Sequence, residues 1–186
     1  ASAGAVILVS NGVYGVGGKS GYPSGSALTN RLVVSNAVTV KSVNGPASTV
    51  IQGARDGAGT NGPAAVRGVY LAAGARLVGF TITNGATRAL SAYNHNYESG
   101  GGVWCADDTA EVSNCVVTGN AAGYAGGGVY NGTYRDCVIQ GNVAGDDGAL
   151  YFLDNAAGDE LADGVLTDIY ASLQTRIFEG LGGDLI

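Results

Sequence analysis

The sequence predicts an all-β protein built as a solenoid of short parallel strands, and three observations lead to this prediction. A strand motif that ends in Asn-Gly or Gly-Asn recurs along the chain, and a second, glycine-led strand motif recurs beside it. No helical pattern separates successive copies, although the parallel strands of a βαβ sheet would need such helices. We therefore expect the copies to stack strand on strand at ~4.8 Å, in about five or six coils.

The first motif is a strand in which inward and outward residues alternate, and it ends at a sharp corner. Its copies are ILVSNG (7–12), FTITNG (80–85), CVVTGN (115–120) and CVIQGN (137–142), with VKSVNG (40–45) as a weaker fifth. The alternation predicts one inward column of Phe80, Cys115 and Cys137. Asn and Gly tolerate left-handed backbone conformations, which lets the chain turn tightly after each strand.

The second motif carries an aromatic row. Its copies are GVYL (68–71), GVWC (102–105), GVYN (128–131) and GALY (148–151). They align Tyr70, Trp104 and Tyr130, with Leu150 as the expected continuation. If the preceding valines face inward, the rings form an outward strip, which suits sugar rings or a protein interface. If the rings face inward instead, they belong to the core, and both interpretations remain open at this point.

Together these segments resemble a known family. GVYLAAGARLVGFTITNG, GGVWC…AEVSNCVVTGN and GGVYNGTYRDCVIQGN are similar to the right-handed parallel β-helix repeats of bacterial secreted and surface proteins, of the polymorphic-outer-membrane-protein and autotransporter-passenger types. ASAGAVILVSNGVYGVGG resembles the first coil of such domains. The resemblance covers roughly residues 1–150 and implies a right-handed, single-stranded parallel β-helix that is secreted or displayed at the cell surface. It says little about activity, because the same fold carries enzymes, adhesins and inert stalks.

The C-terminal segment has a different pattern. Within DELADGVLTDIYASLQTRIFEG (159–180), apolar residues recur at helical spacing, which predicts an amphipathic helix that caps the last coil. We therefore expect one domain, with β-helix coils and long corner loops over 1–158 and a capping helix and tail over 159–186. The alternative, in which this helix covers the bare N-terminal end of a second copy, favours a homo-oligomer.

Composition limits the partners. The chain has 186 residues, of which 13% are charged, and its net charge is −6. This charge gives no electrostatic support for binding nucleic acid, and no apolar run is long enough for a membrane-spanning helix. Cys105, Cys115 and Cys137 match no zinc-binding spacing, and we read the last two as buried small residues. We expect no metal and no cofactor, with calcium at acidic turns as an open alternative.

One polar loop holds the residues that a catalytic interpretation would need. His95 is the only histidine and lies in SAYNHNYESGGG (91–102), while Asp107 and Asp108 lie one strand further on. Under an enzyme hypothesis these three side chains are the catalytic candidates, in a small hydrolase that acts on carbohydrates or esters. No known hydrolase or lyase motif is present, so His95 is equally an ordinary loop residue.

The leading functional hypothesis is a β-helix module without its own catalytic centre. It would act by adhesion or glycan contact through one face, with a polysaccharide or another surface protein as partner. The candidate ligand-binding residues are the aromatic side chains of the second motif and of the polar loop: Tyr70, Trp104, Tyr130, Tyr93 and Tyr97. The alternatives are the hydrolase described above and a structural oligomerisation fragment of a larger passenger.

Overall fold

The computed structural model describes residues 1–57, 61–146, 148, 150 and 151, together with the backbone of 166 and 167. The regular secondary structure of this part of the chain is almost entirely β-strand, with one four-residue helix, α1 (His95–Glu98). The strands are, in chain order, β1 (Val6–Val9), β2 (Gly12–Tyr14), β3 (Thr29–Val34), β4 (Thr39–Ser42), β5 (Thr49–Gln52), β6 (Val66–Leu71), β7 (Arg76–Val78), β8 (Thr81–Thr83), β9 (Val103–Cys105), β10 (Glu111–Ser113), β11 (Val116–Thr118), β12 (Ala121–Ala122), β13 (Val129–Tyr130), β14 (Thr133–Arg135), β15 (Val138–Gln140), β16 (Val143–Ala144), β17 (Leu150–Tyr151) and β18 (Leu166–Thr167).

The strands form three main parallel sheets that the chain visits in turn. Sheet A has the order β1-β4-β7-β10-β14, sheet B has β2-β5-β8-β11-β15-β18, and sheet C has β3-β6-β9-β13-β17. A small fourth sheet pairs β12 with β16. Each passage through A, B and C is one coil, and every strand pairs in parallel with the equivalent strand of the next coil. The expected all-β architecture of stacked parallel strands is thus present, and it is compatible with a parallel β-helix.

The inward column predicted for sheet B is confirmed. Phe80, Cys115 and Cys137 each immediately precede a strand of sheet B, in matching register, and all three are buried in the main hydrophobic core. The backbone N–H of Phe80 donates to Cys115 Sγ at 3.3 Å, and Val138 N–H donates to the Cys115 carbonyl at 2.9 Å. The core runs along the solenoid axis because each coil contributes the same inward positions.

The glycine runs are explained by close approach between coils. A Cβ added to Gly68 would lie 2.5 Å from the carbonyl oxygen of Gly102, and one added to Gly102 would lie 2.5 Å from the carbonyl oxygen of Gly128. These glycines precede the β6, β9 and β13 valines, where successive backbones come too close for any side chain.

One alignment made from the sequence is wrong. ILVSNG and VKSVNG lie in sheet A, where Ile7 pairs with Val40, whereas FTITNG, CVVTGN and CVIQGN lie in sheet B. The sheet B strand of the first coil is instead β2. Strands of both sheets have the same alternation and end near Asn or Gly, so local pattern alone does not separate them.

The predicted capping helix falls on residues 159–180, nearly all of which lie outside the described part of the chain. The exception is Leu166–Thr167, which forms a strand that pairs in parallel with β15. At these two residues the backbone therefore extends sheet B into a further coil, where the sequence analysis expected helix.

Candidate functional site

In the first five coils, the long connections leave the solenoid at one corner. Connections from sheet B to sheet C are between nine and nineteen residues long in the first five coils, against two to six residues at the other two corners. The three longest of these connections are 15–28, 53–65 and 84–102. Two of them, 15–28 and 84–102, fold back over the outer side of sheet C, where the aromatic row lies.

The aromatic row is a continuous stack of parallel rings. Neighbouring ring centroids are 5.4 Å apart from Tyr70 to Trp104, from Trp104 to Tyr130, and from Tyr130 to Tyr151, with interplanar angles of 15°, 11° and 8°. Tyr22 covers the upstream end at 5.2 Å. The expected continuation at Leu150 is wrong, because Leu150 pairs with Val129 and faces the core, so Tyr151 takes the ring position.

The rings face away from the core but are not an open platform. Val69, Val103 and Val129 point inward, as the outward-strip interpretation requires. Tyr70, Trp104 and Tyr130 nevertheless expose only 9%, 8% and 2% of their surface. Neighbouring rings occupy both faces of each ring, and Trp104 Nε1 donates to the backbone carbonyl of His95 at 3.0 Å. This arrangement favours packing over sugar stacking for the row.

Arg67 holds the two covering loops on this face. Its guanidinium is fully buried and donates to Asn30 Oδ1 at 3.0 Å and to the carbonyls of Gly100, Asn96 and Ser99 at 3.0, 2.9 and 2.8 Å. Burial lowers the pKa of Arg67 to about 9, while Tyr70 acts in the opposite direction. A buried cation needs such acceptors. Arg67 therefore holds the 84–102 loop directly, and it holds the 15–28 loop through Asn30 of β3, whose Nδ2 donates to the carbonyls of Lys19 and Tyr22.

Glu98 plays the matching role inside the longest loop. Its buried carboxylate accepts hydrogen bonds from the Ser91 hydroxyl and the backbone N–H groups of Ser91, Ala92 and Asn94, at 2.6 to 3.1 Å. Burial acts to raise the pKa of Glu98, but these hydrogen bonds outweigh it, and the net pKa lies below its usual value. The carboxylate therefore stays ionised and closes the 91–98 segment into a compact turn.

His95, the candidate base, lies on top of the aromatic stack. Its ring centroid is 4.8 Å from that of Tyr124, 5.1 Å from Tyr130 and 5.3 Å from Tyr151. Its Nδ1 lies 3.2 Å from Ser99 Oγ. Ser99 is fully buried, so this hydroxyl is not accessible to a substrate in the folded protein.

The remaining candidates are distributed rather than gathered. Asp107 Oδ1 accepts bonds from the Thr109 N–H and hydroxyl, as in an ordinary Asx turn, and the Asp108 carbonyl accepts from Thr133. Tyr97 packs beside a small apolar cluster, with Arg88 5.8 Å from its ring centroid. Tyr93 is exposed and meets Tyr124 edge-on. The structure thus brings His95 onto the aromatic stack but gives Asp107 a turn-forming role.

The cysteines offer no reactive thiol. All three are free and buried. Burial raises the pKa of Cys105 to about 12 and that of Cys115 well above its usual value. A hydrogen bond with Cys115 lowers the pKa of Cys137, but the side chain of Cys137 is fully buried and is therefore closed to a substrate. The interpretation of Cys115 and Cys137 as buried small residues is confirmed.

The outer face of sheet B is the part of the surface that the sequence analysis did not single out as a site. Two rows of side chains run across it in register, one mainly apolar and one polar: Val13, Val50, Thr81, Val116 and Val138, and beside them Gln52, Thr83, Thr118 and Gln140. Neither row contains a charge. The sequence alone could have shown that these residues point outward, because each of them flanks an inward position of the same strand.

The outer face of sheet A is different because it is charged. Its rows include Lys41, Arg135 and an ion pair in which Arg76 Nη1 lies 3.2 Å from Glu111 Oε2. Sheet A has short connections at both of its edges. Sheet B has short connections to sheet A but borders the long connections at its sheet C edge, where Arg55 Nη2 donates to the Gly119 carbonyl at 3.3 Å.

Within the described residues there is no cluster of three or more side chains suited to a metal, and no helix there is long and apolar enough to cross a bilayer. No protein-family model, curated protein or solved structure matches the chain.

Proposed function

We propose that this chain is a right-handed β-helix module, secreted or displayed at the cell surface, that binds an extended neutral polysaccharide along the outer face of sheet B. The observation that carries the proposal is the pair of uncharged side-chain rows, which continue in register from coil to coil.

The polar row has the groups that a glycan needs. Gln52, Thr83, Thr118 and Gln140 are partly or fully exposed, and within the described residues their side chains make no hydrogen bond to the protein. Their amides and hydroxyls can both donate and accept, as sugar hydroxyls do. The adjacent row of valine and threonine methyl groups supplies apolar contact for the C–H faces of a sugar chain.

The spacing and charge of this face define the ligand class. The rows repeat once per coil, at about the 4.8 Å strand spacing, so an extended polymer can make the same contact several times. The two rows contain no charged side chain that would favour an acidic polymer, and Arg55, at the border of the polar row, already donates to the Gly119 carbonyl. The proposal is therefore directed to neutral glycans.

Retardation in native gels cast with a neutral glucan, mannan or xylan tests the proposal. Thr118→Lys places a long cation in the middle of the polar row and should weaken retardation at least about tenfold. Ser113→Lys is the matched control, since Ser113 is an outward position of the same coil on sheet A, and it should bind like the parent protein.

Three results would overturn the proposal: no retardation by any of these polymers, an equal loss in both variants, or release of reducing ends from the bound polymer. The last result would favour the hydrolase alternative, and His95→Ala would then have to abolish the release.

A further inference from the structure

Two threonines of the polar row on sheet B occupy the same position in successive coils. Thr83 of β8 pairs with Thr118 of β11, so their side chains lie one coil apart, at the ~4.8 Å spacing of paired strands. A Cβ added to Gly119 would lie 3.5 Å from Thr83 Oγ1, and one added to Gly141 would lie 3.7 Å from Thr118 Oγ1. The neighbour of each hydroxyl in the next coil is therefore a glycine, which has no side chain to cover it.

The hydroxyls of these two threonines are available for hydrogen bonding. Both side chains are half-buried, and within the described residues neither hydroxyl bonds to the protein. The other threonine of β8 differs, because the Thr81 hydroxyl donates to the Pro46 carbonyl at 2.9 Å. The free hydroxyls of this face therefore lie in one row, and the adjacent row presents mainly methyl groups.

The polar row has short side chains in its middle and longer ones on either side. Gln52 of β5 pairs with Thr83, and Gln140 of β15 pairs with Thr118. In the described part of the chain, β5, β8, β11 and β15 are the strands that carry both rows. A ligand laid across these four strands would meet a hydroxyl at each of the two central coils and a carboxamide at each outer coil.

The strands of sheet B are too short to hold a polymer lengthwise. β8, β11 and β15 have three residues each, so a ligand that follows one strand meets one residue of each row. A ligand that crosses the strands meets the same pair of rows once per coil. Because repeated contacts on one polymer add to its affinity, a bound polymer gains most when it lies along the solenoid axis.

We propose that this face binds a β-1,4-linked glycan laid along the solenoid axis, with one sugar over each coil. The inference rests on the proposed function and names the ligand class of the same site. Glucose, mannose or xylose units joined in this way form a straight ribbon, whose rise per sugar is close to the ~4.8 Å strand spacing. An α-1,4-linked chain of glucose curls into a helix, so its successive sugars cannot follow successive coils.

The register assigns a role to each row. The hydroxyls of Thr83 and Thr118 would bond to hydroxyls of two successive sugars, since a hydroxyl both donates and accepts. Gln52 and Gln140 would do the same at the two outer coils. The C–H groups of the ribbon would then lie against the adjacent apolar row.

Isothermal titration calorimetry with hexasaccharides tests the linkage. The probes are the β-1,4-linked hexasaccharides of glucose, mannose and xylose, and the α-1,4-linked hexasaccharide of glucose is the control. At least one β-1,4-linked probe should bind at least about tenfold more tightly than the control. Equal affinity for all four, or binding of the control alone, would overturn the inference.

Oligosaccharide length tests the register. Affinity for the preferred β-1,4-linked series should rise from two to four sugars and then level off, because four described strands carry both rows. Affinity that is already complete with two sugars would show that the ligand does not run across the coils.

Threonine-to-valine variants test the hydroxyls. Thr83→Val and Thr118→Val each remove one hydroxyl with little change of shape, and each should weaken binding about fivefold. Thr39→Val is the matched control, since Thr39 is a half-buried outward threonine on β4 of sheet A, and it should bind like the parent protein. No loss in the two sheet B variants, or an equal loss in all three, would contradict the assignment.

The gel experiment of the proposed function separates the two failures. If a neutral polymer retards the protein but the calorimetry shows no preference for β-1,4 linkages, this inference is wrong and polysaccharide binding stands. If no polymer retards the protein, polysaccharide binding itself is wrong, and this inference is overturned with it.

Discussion

The chain passes from one sheet to the next in different ways at the two corners of sheet B. The first corner joins sheet A to sheet B, and the second corner joins sheet B to sheet C. In the third to fifth coils, the first corner takes two residues: a left-handed Gly79, Asn114 or Asp136, followed by the inward Phe80, Cys115 or Cys137. The second corner takes nine to nineteen residues in the first five coils and builds a loop layer over sheet C.

The conformation of the first corner is set by single residues, whereas the conformation of the second corner is set by contacts between distant segments. A left-handed residue at the first corner needs only a side chain that tolerates positive φ, so Gly, Asn and Asp replace one another there. The loops at the second corner are held by single buried groups, Arg67 and Glu98, which make several hydrogen bonds each. Substitutions at the two corners should therefore differ in size and in kind.

The largest effect is expected at Arg67. Arg67→Met keeps the apolar stem but leaves Asn30 Oδ1 and three carbonyls without their donor, so the free energy of unfolding should fall by about 3–5 kcal/mol. Urea denaturation measures the change. Arg67→Lys is the control, because an ammonium keeps the charge but not the fork of donors, and it should recover about half of the loss. Full recovery would show that charge alone fixes the loops.

Glu98→Gln should have a smaller effect, confined to the longest loop. An amide nitrogen cannot accept the bonds that one carboxylate oxygen accepts, and the loss should be about 1–3 kcal/mol. Hydrogen exchange at the amides of Ser91, Ala92 and Asn94 measures loop opening directly.

The pH dependence of this exchange sharpens the test. The folded-state pKa of Glu98 lies below its ordinary value of about 4.3. The stability that the Glu98 carboxylate contributes to the folded loop is therefore fully present above about pH 4.3 and is lost as the pH falls through the folded-state pKa. Protection at the three amides should fall with it, and Glu98→Gln should abolish that pH dependence. Protection that stays constant at acidic pH in the parent protein would contradict the assigned role.

The smallest effects are expected at the first corner. Asn114 and Asp136 have φ values of 49° and 51°, so replacing either with Gly should relieve backbone strain and raise stability by about 1 kcal/mol or less. Gly79→Ala is the reverse control at the equivalent position, where φ is 81°. An added Cβ meets nothing closer than 3.4 Å, so its cost of about 1–2 kcal/mol comes from the backbone. Thermal melts of the three variants measure the expected gain in stability for the two glycine substitutions and the expected loss for Gly79→Ala.

The candidate site was predictable where a residue type repeats from coil to coil. The alignment of Tyr70, Trp104 and Tyr130 follows from three copies of one motif, and the ring stack confirms it. The last member was assigned to Leu150 instead of Tyr151, because the alignment was anchored on Gly148. That glycine lies two residues before the inward residue Leu150, whereas the glycine of the other copies lies one residue before it. The roles of Arg67 and Glu98 were not predictable, since each occurs once and acts on loops distant in sequence.

The sequence by itself determined the strand repeats, their inward column and the left-handed corners, because period-two alternation and positive-φ residues act within a few neighbours along the chain. Only the tertiary structure decided which sheet each Asn-Gly strand joins and that the aromatic strip lies under loops. It also showed that two uncharged rows of side chains run in register along the outer face of sheet B. These outcomes depend on contacts between segments far apart in the chain, where one buried guanidinium can fix two loops at once.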